Sequence, residues 1–258
     1  MSTDTSSPQS KKAAARARIA ERRAAEAAAQ AAAERRRRTV VGAVAAAVVL
    51  VVALVAVVLV QTHRTSTPAA AASPPGTTDG YAFAVGSADA PVTVDVYEDF
   101  QCPICAQLEA TSGATFASLV DAGTVQLRYH GMAFLDRAST TEYSTRALNA
   151  AAVVAESGAD AYRSFHDLLF ANQPAEGSAG LTDDQLVDYA ARAGASGPDV
   201  EAGIRGLRYG DWVEAATDQA STDGVNGTPT VFVDGTQLDN SKLTPEGITA
   251  AVQAAAAS

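Results

Sequence analysis

Residues 39–60 form an uninterrupted apolar run of 22 residues, TVVGAVAAAVVLVVALVAVVLV, without a charged side chain. At about 1.5 Å per residue, an α-helix of this length spans roughly 30 Å, the thickness of the hydrocarbon core of a bilayer. The flanking segments, one basic and one rich in proline and alanine, argue against a helix buried in a protein core. The sequence therefore predicts one transmembrane helix over 39–60.

The distribution of charge orients this predicted helix. Residues 1–38 carry ten basic and four acidic side chains and end in the block Arg35–Arg38, whereas only His63 and Arg64 closely follow the apolar run. Positive charge stays on the cytoplasmic side of a membrane, so we expect a cytoplasmic tail and an extracytoplasmic C-terminal domain in the cell membrane. The alternative is a cleaved signal peptide, with small residues at 70–73, although ordinary signal peptides are shorter.

A segment rich in proline, alanine, serine and threonine covers residues 61–80 and predicts a linker. The folded domain is then expected over 81–258, which is long enough for a single core. The formal net charge of the chain is −10, and the basic tail conceals a still more acidic C-terminal part. That acidity argues against nucleic acid as a partner of the domain.

The first part of the domain has the pattern of a strand, a helix and a second strand. Val92–Tyr97 alternates and is rich in β-branched side chains, as expected for a buried strand. A helix is predicted from Pro103 to about Val120, and residues 124–129 predict the second strand.

A long helical region follows and ends near a hairpin. Capping boxes are predicted at Ser139–Glu142 and Thr182–Gln185. Thr230–Val233 predicts a strand that turns at Asp234–Gly235, and Thr244–Pro245 predicts the start of a terminal helix. Further helical patterns cover 160–172 and 198–222.

The chain contains two cysteines, Cys102 and Cys105, at the predicted junction between strand and helix. A disulfide between them closes a loop too short to constrain the unfolded chain appreciably. Zinc normally takes four ligands, and His63, His130 and His166 have no ligand spacing relative to the pair. The sequence therefore predicts no metal and no cofactor, and it favours thiol-disulfide exchange.

The spacing of the pair assigns a different role to each thiol. If Cys102 caps the helix that starts at Pro103, the positive end of the helix dipole stabilises its thiolate and lowers its pKa below about 8.5. Cys105 lies one turn further on, within disulfide reach and more buried, so it resolves the mixed disulfide. Proline suits the first helical turn because it needs no N–H partner there.

Two segments frame the predicted site. Asp95–Cys105 is DVYEDFQCPIC, and Gly227–Thr230 is GTPT, followed by an apolar strand. Together they resemble the DsbA-like branch of the thioredoxin superfamily, in its membrane-anchored bacterial type. The resemblance implies a thioredoxin-like α/β fold with a helical insertion over about 135–222, preceded here by the transmembrane helix. It also implies that Pro229 is cis and faces the cysteines, and that Thr228 and Pro229 bind the substrate.

The chain departs from this family at two positions. Many relatives carry an acid six residues before the first cysteine, where this chain has Val96. Glu98 and Asp99 are candidate substitutes in proton transfer, or else solvated loop acids. Strongly oxidising relatives carry histidine at the position of Ile104. Without that cation the thiolate of Cys102 should be less stabilised, and we expect a less oxidising disulfide.

The predicted function is disulfide formation in exported proteins, with cysteine-containing proteins as substrates and a membrane partner that reoxidises the pair. A disulfide reductase or isomerase is the alternative within this class, and Thr228 before the proline resembles isomerase-type members. A non-catalytic, membrane-anchored peptide-binding module is the alternative from another class. The intact pair of cysteines argues against that module.

Overall fold

The computed structural model of the chain describes residues 73–78 and 81–257. The predicted cytoplasmic tail, the predicted transmembrane helix and most of the predicted linker lie outside these residues. Among the helices of the described part, none combines the length and the apolar character needed to cross a bilayer.

The described residues contain one sheet with the strand order β1-β2-β4-β3-β5-β6. Its strands are β1 (Thr77–Thr78), β2 (Ala82–Val85), β3 (Val92–Glu98), β4 (Val125–Gly131), β5 (Thr230–Val233) and β6 (Thr236–Gln237). β3 pairs in parallel with β4 and antiparallel with β5. Its alternating sequence buries Val92, Val94 and Val96 completely, so the predicted central strand is confirmed.

Seven α-helices accompany the sheet in the described part of the chain. They are α1 (Pro103–Asp121), α2 (Tyr143–Ala155), α3 (Ala159–Ala171), α4 (Asp183–Arg192), α5 (Pro198–Arg205), α6 (Gly210–Thr222) and α7 (Pro245–Ala256). α1 and α7 pack against the sheet and against each other, while α2 contacts α3, α4, α5 and α6. This order of elements confirms the predicted thioredoxin-like α/β fold with a helical insertion between β4 and β5.

Helix α2 lies at the centre of the insertion. Every residue from Ala147 to Ala155 is buried, and five of these nine residues are alanines. Small side chains allow neighbouring helices to approach closely on several sides. The insertion contacts the sheet through Tyr162 of α3, whose ring stacks on that of Phe83 with 4.3 Å between centroids.

The two predicted capping boxes have different outcomes. Thr182 and Gln185 form the predicted box at the start of α4. The box predicted at Ser139–Glu142 is wrong, because α2 begins only at Tyr143, after Glu142 in a left-handed conformation with φ of 52°. Ser139 Oγ instead accepts a hydrogen bond from the Tyr143 N–H at 3.1 Å, which fixes the turn before the helix.

The C-terminal hairpin and helix form where the sequence predicts them. The hairpin of β5 and β6 turns at Asp234 and Gly235, and Thr244 Oγ1 accepts the hydrogen bond from the Gly247 N–H that caps α7. The pattern over 198–222 divides into α5 and α6, with Leu207 between them at a φ of 50°. β1 lies within the segment predicted as linker and pairs with β2.

Candidate active site

Cys102 and Cys105 lie at the N-terminal end of α1, directly after the turn that follows β3. The Cys102 N–H donates to the Asp99 carbonyl at 2.9 Å and closes this turn, and the Ala106 N–H donates to the Cys102 carbonyl at 3.2 Å as the helix begins. Both cysteines are present as free thiols. Cys102 is 6% exposed and Cys105 is 1% exposed, which confirms the predicted order of burial.

The pKa of Cys102 is lowered to about 6. The hydrogen bond with the Cys105 thiol contributes most, burial opposes it, and Thr228 and the backbone N–H groups of Cys105 and Ile104 contribute the rest. These N–H groups belong to the first turn of α1, where they stabilise negative charge on the sulfur by hydrogen bonding and through the field of the helix N-terminus. The lowered pKa was predicted from that field, whereas the larger contribution of Cys105 was not.

The pKa of Cys105 is raised well above its usual range. Burial is the main cause, followed by the hydrogen bond with Cys102 and the charge of that thiol. At neutral pH the pair therefore holds one thiolate, at Cys102, and one thiol, at Cys105. The less buried sulfur therefore has the properties of a nucleophile, and the more buried sulfur donates a hydrogen bond to it.

The loop before β5 faces this pair. The peptide bond between Thr228 and Pro229 is cis, and Cys102 Sγ lies 3.4 Å from the carbonyl oxygen of Thr228. The predicted cis bond is thus present, and Thr228 lies beside Cys102. Their predicted role in binding the substrate stays a prediction.

A groove with a volume of about 370 Å³ opens between this loop and the start of α1. Its walls combine the Cys102 thiol with apolar side chains such as Phe134 and Leu135 and with the charged side chains of Arg137 and Glu176. Ile104 lies at its edge with 58% of its surface exposed.

Glu98 and Asp99 are both buried, so their interpretation as solvated loop acids is wrong. Asp99 Oδ1 accepts hydrogen bonds from the Gln101 N–H at 2.8 Å and the Ser144 hydroxyl at 2.7 Å. Asp99 Oδ2 accepts from the Leu135 N–H at 3.0 Å. Burial raises the pKa of Asp99 to about 6 against the effect of these hydrogen bonds. The carboxylate thus fastens the active-site turn to the insertion.

Glu98 pairs with His166, a residue that the sequence analysis left unassigned. His166 Nε2 lies 2.8 Å from Glu98 Oε1, and both side chains are buried. Burial by itself lowers the pKa of His166. The charge of Glu98 and the hydrogen bonds with Asp167 and Glu98 outweigh burial and raise the pKa to about 10. His166 lies on the buried face of α3 with Tyr162. Helical spacing on an apolar face was the available sequence signal.

Two glutamines attach the active-site segment to the loop after α3. Gln173 Nε2 donates to the carbonyl oxygens of Cys102 at 2.8 Å and Phe100 at 3.2 Å. Gln101 Nε2 donates to the carbonyl oxygens of Ala175 and Ser178. No periodicity or motif marks Gln173, because its partners lie more than 70 residues away in sequence.

The fold and the site together define a class. A thioredoxin-like sheet places a Cys-Pro-Ile-Cys pair at a helix N-terminus, opposite a cis-proline. A family model described as "Thioredoxin" matches residues 78–254, so the chain belongs to the thioredoxin family.

The relatives place the domain within that family. Crystal structures of DsbA from Mycobacterium tuberculosis are 34% identical to this chain. The oxidised form has a TM-score of 0.60 and a match that covers 69% of this chain and 93% of the other. A probable disulfide bond formation protein D from Bacillus cereus is 28% identical over 158 residues, which are 59% of this chain and 69% of that protein. The described domain is thus a protein thiol-disulfide oxidoreductase of the DsbA type.

A third match lies within a larger protein. The serine/threonine-protein kinase PknE from Mycobacterium tuberculosis is 33% identical over 163 residues, which are 60% of this chain. The match spans 29% of the length of that kinase. Such partial coverage carries no conclusion about kinase activity in this chain.

Proposed function

We propose that this protein introduces disulfides into exported proteins, by exchange through a Cys102–Cys105 disulfide. The lowered pKa of Cys102, about 6, is the observation that carries the proposal. A thiolate that is stabilised in the reduced form makes the disulfide a stronger oxidant. The name of the Bacillus cereus relative, a probable disulfide bond formation protein, supports the same direction.

The exchange runs in two displacements. A substrate thiolate attacks Cys102 Sγ, the enzyme disulfide breaks, and the electron pair passes to Cys105, which takes up a proton because its pKa is high. A second substrate thiolate then attacks the substrate sulfur of the mixed disulfide, and Cys102 leaves as a thiolate. The substrate loses two electrons and two protons, of which one goes to Cys105 and the other to solvent. A leaving thiol of low pKa accelerates the second displacement.

The residues around the pair take supporting roles in this proposal. Thr228 and Pro229 bind the substrate backbone next to Cys102, and Pro103 starts α1 so that its N-terminus faces the sulfur. The exposed side chain of Ile104 contacts the substrate. Glu98 and Asp99 remain the candidate acids for proton transfer to and from the cysteine pair.

The cellular setting is part of the proposal. The apolar run over 39–60 and the basic tail before it support a single-pass anchor with the domain outside the membrane. Reduced enzyme would then be reoxidised by a partner in the same membrane. The excess of acidic side chains in the domain argues against nucleic acid as a partner.

A reductase or isomerase is the second candidate. Thr228 before the cis-proline favours it, and so does Ile104, which supplies no charge to stabilise the Cys102 thiolate. A non-catalytic anchored peptide-binding module is the candidate from a different class.

The reduction potential of the full chain in detergent micelles, measured in glutathione buffers, decides the direction of exchange. We expect a value between about −120 mV, typical of a strong DsbA-type oxidant, and about −270 mV, typical of thioredoxin. A value at or below that of thioredoxin would contradict the oxidase and favour the reductase.

Trapping of substrates tests whether the protein reacts covalently with exported proteins, as an enzyme of this class must. In Cys105→Ala the Cys102 thiolate can still attack a substrate disulfide, but the resolving thiol is missing, so covalent complexes with exported proteins should accumulate through Cys102. The double variant Cys102→Ala/Cys105→Ala is the control and should trap none. Absence of complexes with the single variant would favour the peptide-binding module.

A further inference from the structure

Three side chains with metal-binding atoms converge behind the cysteine pair. Glu98 comes from the end of β3, Glu109 from the second turn of α1 and His166 from α3. One ligand atom from each lies within 4.8 Å of those of the other two. This cluster thus joins the strand before the cysteines, the helix after them and the insertion.

Two carboxylate oxygens of the cluster have no partner. The Glu98 side chain is 2% exposed, and its Oε2 receives no hydrogen bond from any described residue. Glu109 Oε1 is buried and likewise without a partner within the described residues. A buried carboxylate oxygen that lacks a partner is costly, and a bound cation would satisfy both.

The histidine is oriented as a ligand would be. His166 Nε2 faces Glu98 at 2.8 Å, while Nδ1 lies 3.4 Å from Asp167 Oδ1. Histidines that bind metals usually place the second ring nitrogen against a carboxylate or a carbonyl group, which fixes the ring and increases its basicity. Asp167 supplies that carboxylate from the neighbouring position on α3.

The cluster is accessible from one side. A cavity of about 420 Å³ lies between α1, α3 and β4, and Glu109 and Asp167 line it. The α1 wall consists mainly of alanines together with Gly113, where an added Cβ would lie 2.8 Å from Glu109 Oε2. The glycine therefore leaves room for this carboxylate, and the cavity has space for water ligands. Arg163 also lines the cavity and lies 3.7 Å from Asp121.

We propose that Glu98, Glu109 and His166 form a binding site for a divalent transition-metal cation, with water from the cavity completing its coordination. One imidazole and two carboxylates suit Zn²⁺ or Mn²⁺, whereas Ca²⁺ and Mg²⁺ prefer oxygen ligands alone. Binding displaces the proton shared between His166 and Glu98 and releases it to solvent. The cation would then connect the thioredoxin core to the insertion.

The test must separate this site from the thiols, which bind zinc themselves. We would therefore titrate Zn²⁺ and Mn²⁺ into the untagged full chain in detergent micelles, with the Cys102–Cys105 disulfide formed. Isothermal titration should give one site per chain. His166→Gln and Glu109→Gln should each weaken binding by at least tenfold.

His130→Gln is the matched control, because His130 also pairs with a carboxylate, Asp95 at 2.9 Å, but lies outside the cluster. Its affinity should equal that of the unaltered chain. The far-UV circular dichroism of each variant reports folding. If His166→Gln fails to fold, Glu109→Gln carries the test, because Glu109 lies at the cavity. Absence of binding by either metal, or affinity unchanged in Glu109→Gln, would overturn the proposal.

Discussion

The two thiols of the site are one helical turn apart, yet they face very different surroundings. Cys102 lies between the cis-proline loop and an open groove, near the backbone N–H groups at the start of α1. Cys105 points into the core towards a layer of buried acids, and its pKa changes in the opposite direction. The comparison teaches that two identical side chains become an asymmetric pair because one sulfur receives hydrogen bonds from the other thiol and from the helix N-terminus, while burial keeps the second sulfur protonated.

Loss of the less buried thiol, Cys102, should have the largest effect. Cys102→Ser should lower the rate of thiol-disulfide exchange between the reduced protein and a disulfide-containing peptide by at least ~10³-fold, because the remaining thiol is buried and protonated. Cys105→Ser should still form mixed disulfides. Stopped-flow fluorescence and non-reducing gels measure the two outcomes. Equal loss in both variants would contradict the asymmetry.

The pH dependence of the unfolding free energy should report the pKa of the Cys102 thiol in the folded and in the unfolded protein. Cys102 has a folded pKa of about 6, below its unfolded value, so its contribution to the stability of the reduced form is lost as pH falls through 6. Between about pH 6 and pH 8.5 the reduced form should gain about 3 kcal/mol relative to the oxidised form. Urea unfolding of both forms measures this difference, and a flat profile would contradict it.

Alkylation gives the same information for each thiol. In the reduced protein the reaction of Cys102 with iodoacetamide should rise with a midpoint near pH 6, while Cys105 stays unreactive. Cys105→Ala removes the largest cause of the lowered pKa, so the midpoint should move upward. A midpoint that does not move would show that the helix N-terminus alone stabilises the thiolate.

A smaller effect is expected where the insertion holds the active-site segment. Gln173→Ala removes the donor to the carbonyl oxygens of Cys102 and Phe100 and should cost about 2 kcal/mol of unfolding free energy. Gln219→Ala is a control, because its hydrogen bond to Asp223 is exposed, and it should cost less than about 0.5 kcal/mol. Equal losses of unfolding free energy in the two variants would argue against a stabilising role of the Gln173 hydrogen bonds.

The smallest effect concerns the residue between the cysteines. Ile104→His adds a cation next to the thiolate and should raise the reduction potential by roughly 20–30 mV, equivalent to about 1 kcal/mol. The exposure of this side chain keeps the effect small. Ile104→Gln is the uncharged control, and a similar rise there would remove charge as the explanation.

Local signals explain what the sequence could predict. Alternation in β3, the proline at the start of α1 and the Thr182 capping box each depend on neighbouring residues, and the cysteine motif lies among them. Gln173 and His166 could not be placed in the same way, because their partners are distant in sequence. The burial of Glu98 and Asp99 also follows from the insertion covering them, which local patterns do not record.

The hydrogen bonds of Asp99 have a consequence for engineering. Its carboxylate accepts hydrogen bonds from the Ser144 hydroxyl and the Leu135 N–H, and both residues lie in the insertion between β4 and β5. Excision of the insertion to obtain a minimal domain would strip this carboxylate of those donors and uncover the core that α2 closes. The insertion is therefore an integral part of the catalytic unit, and a change of substrate range is better sought by grafting side chains at the groove than by exchanging modules.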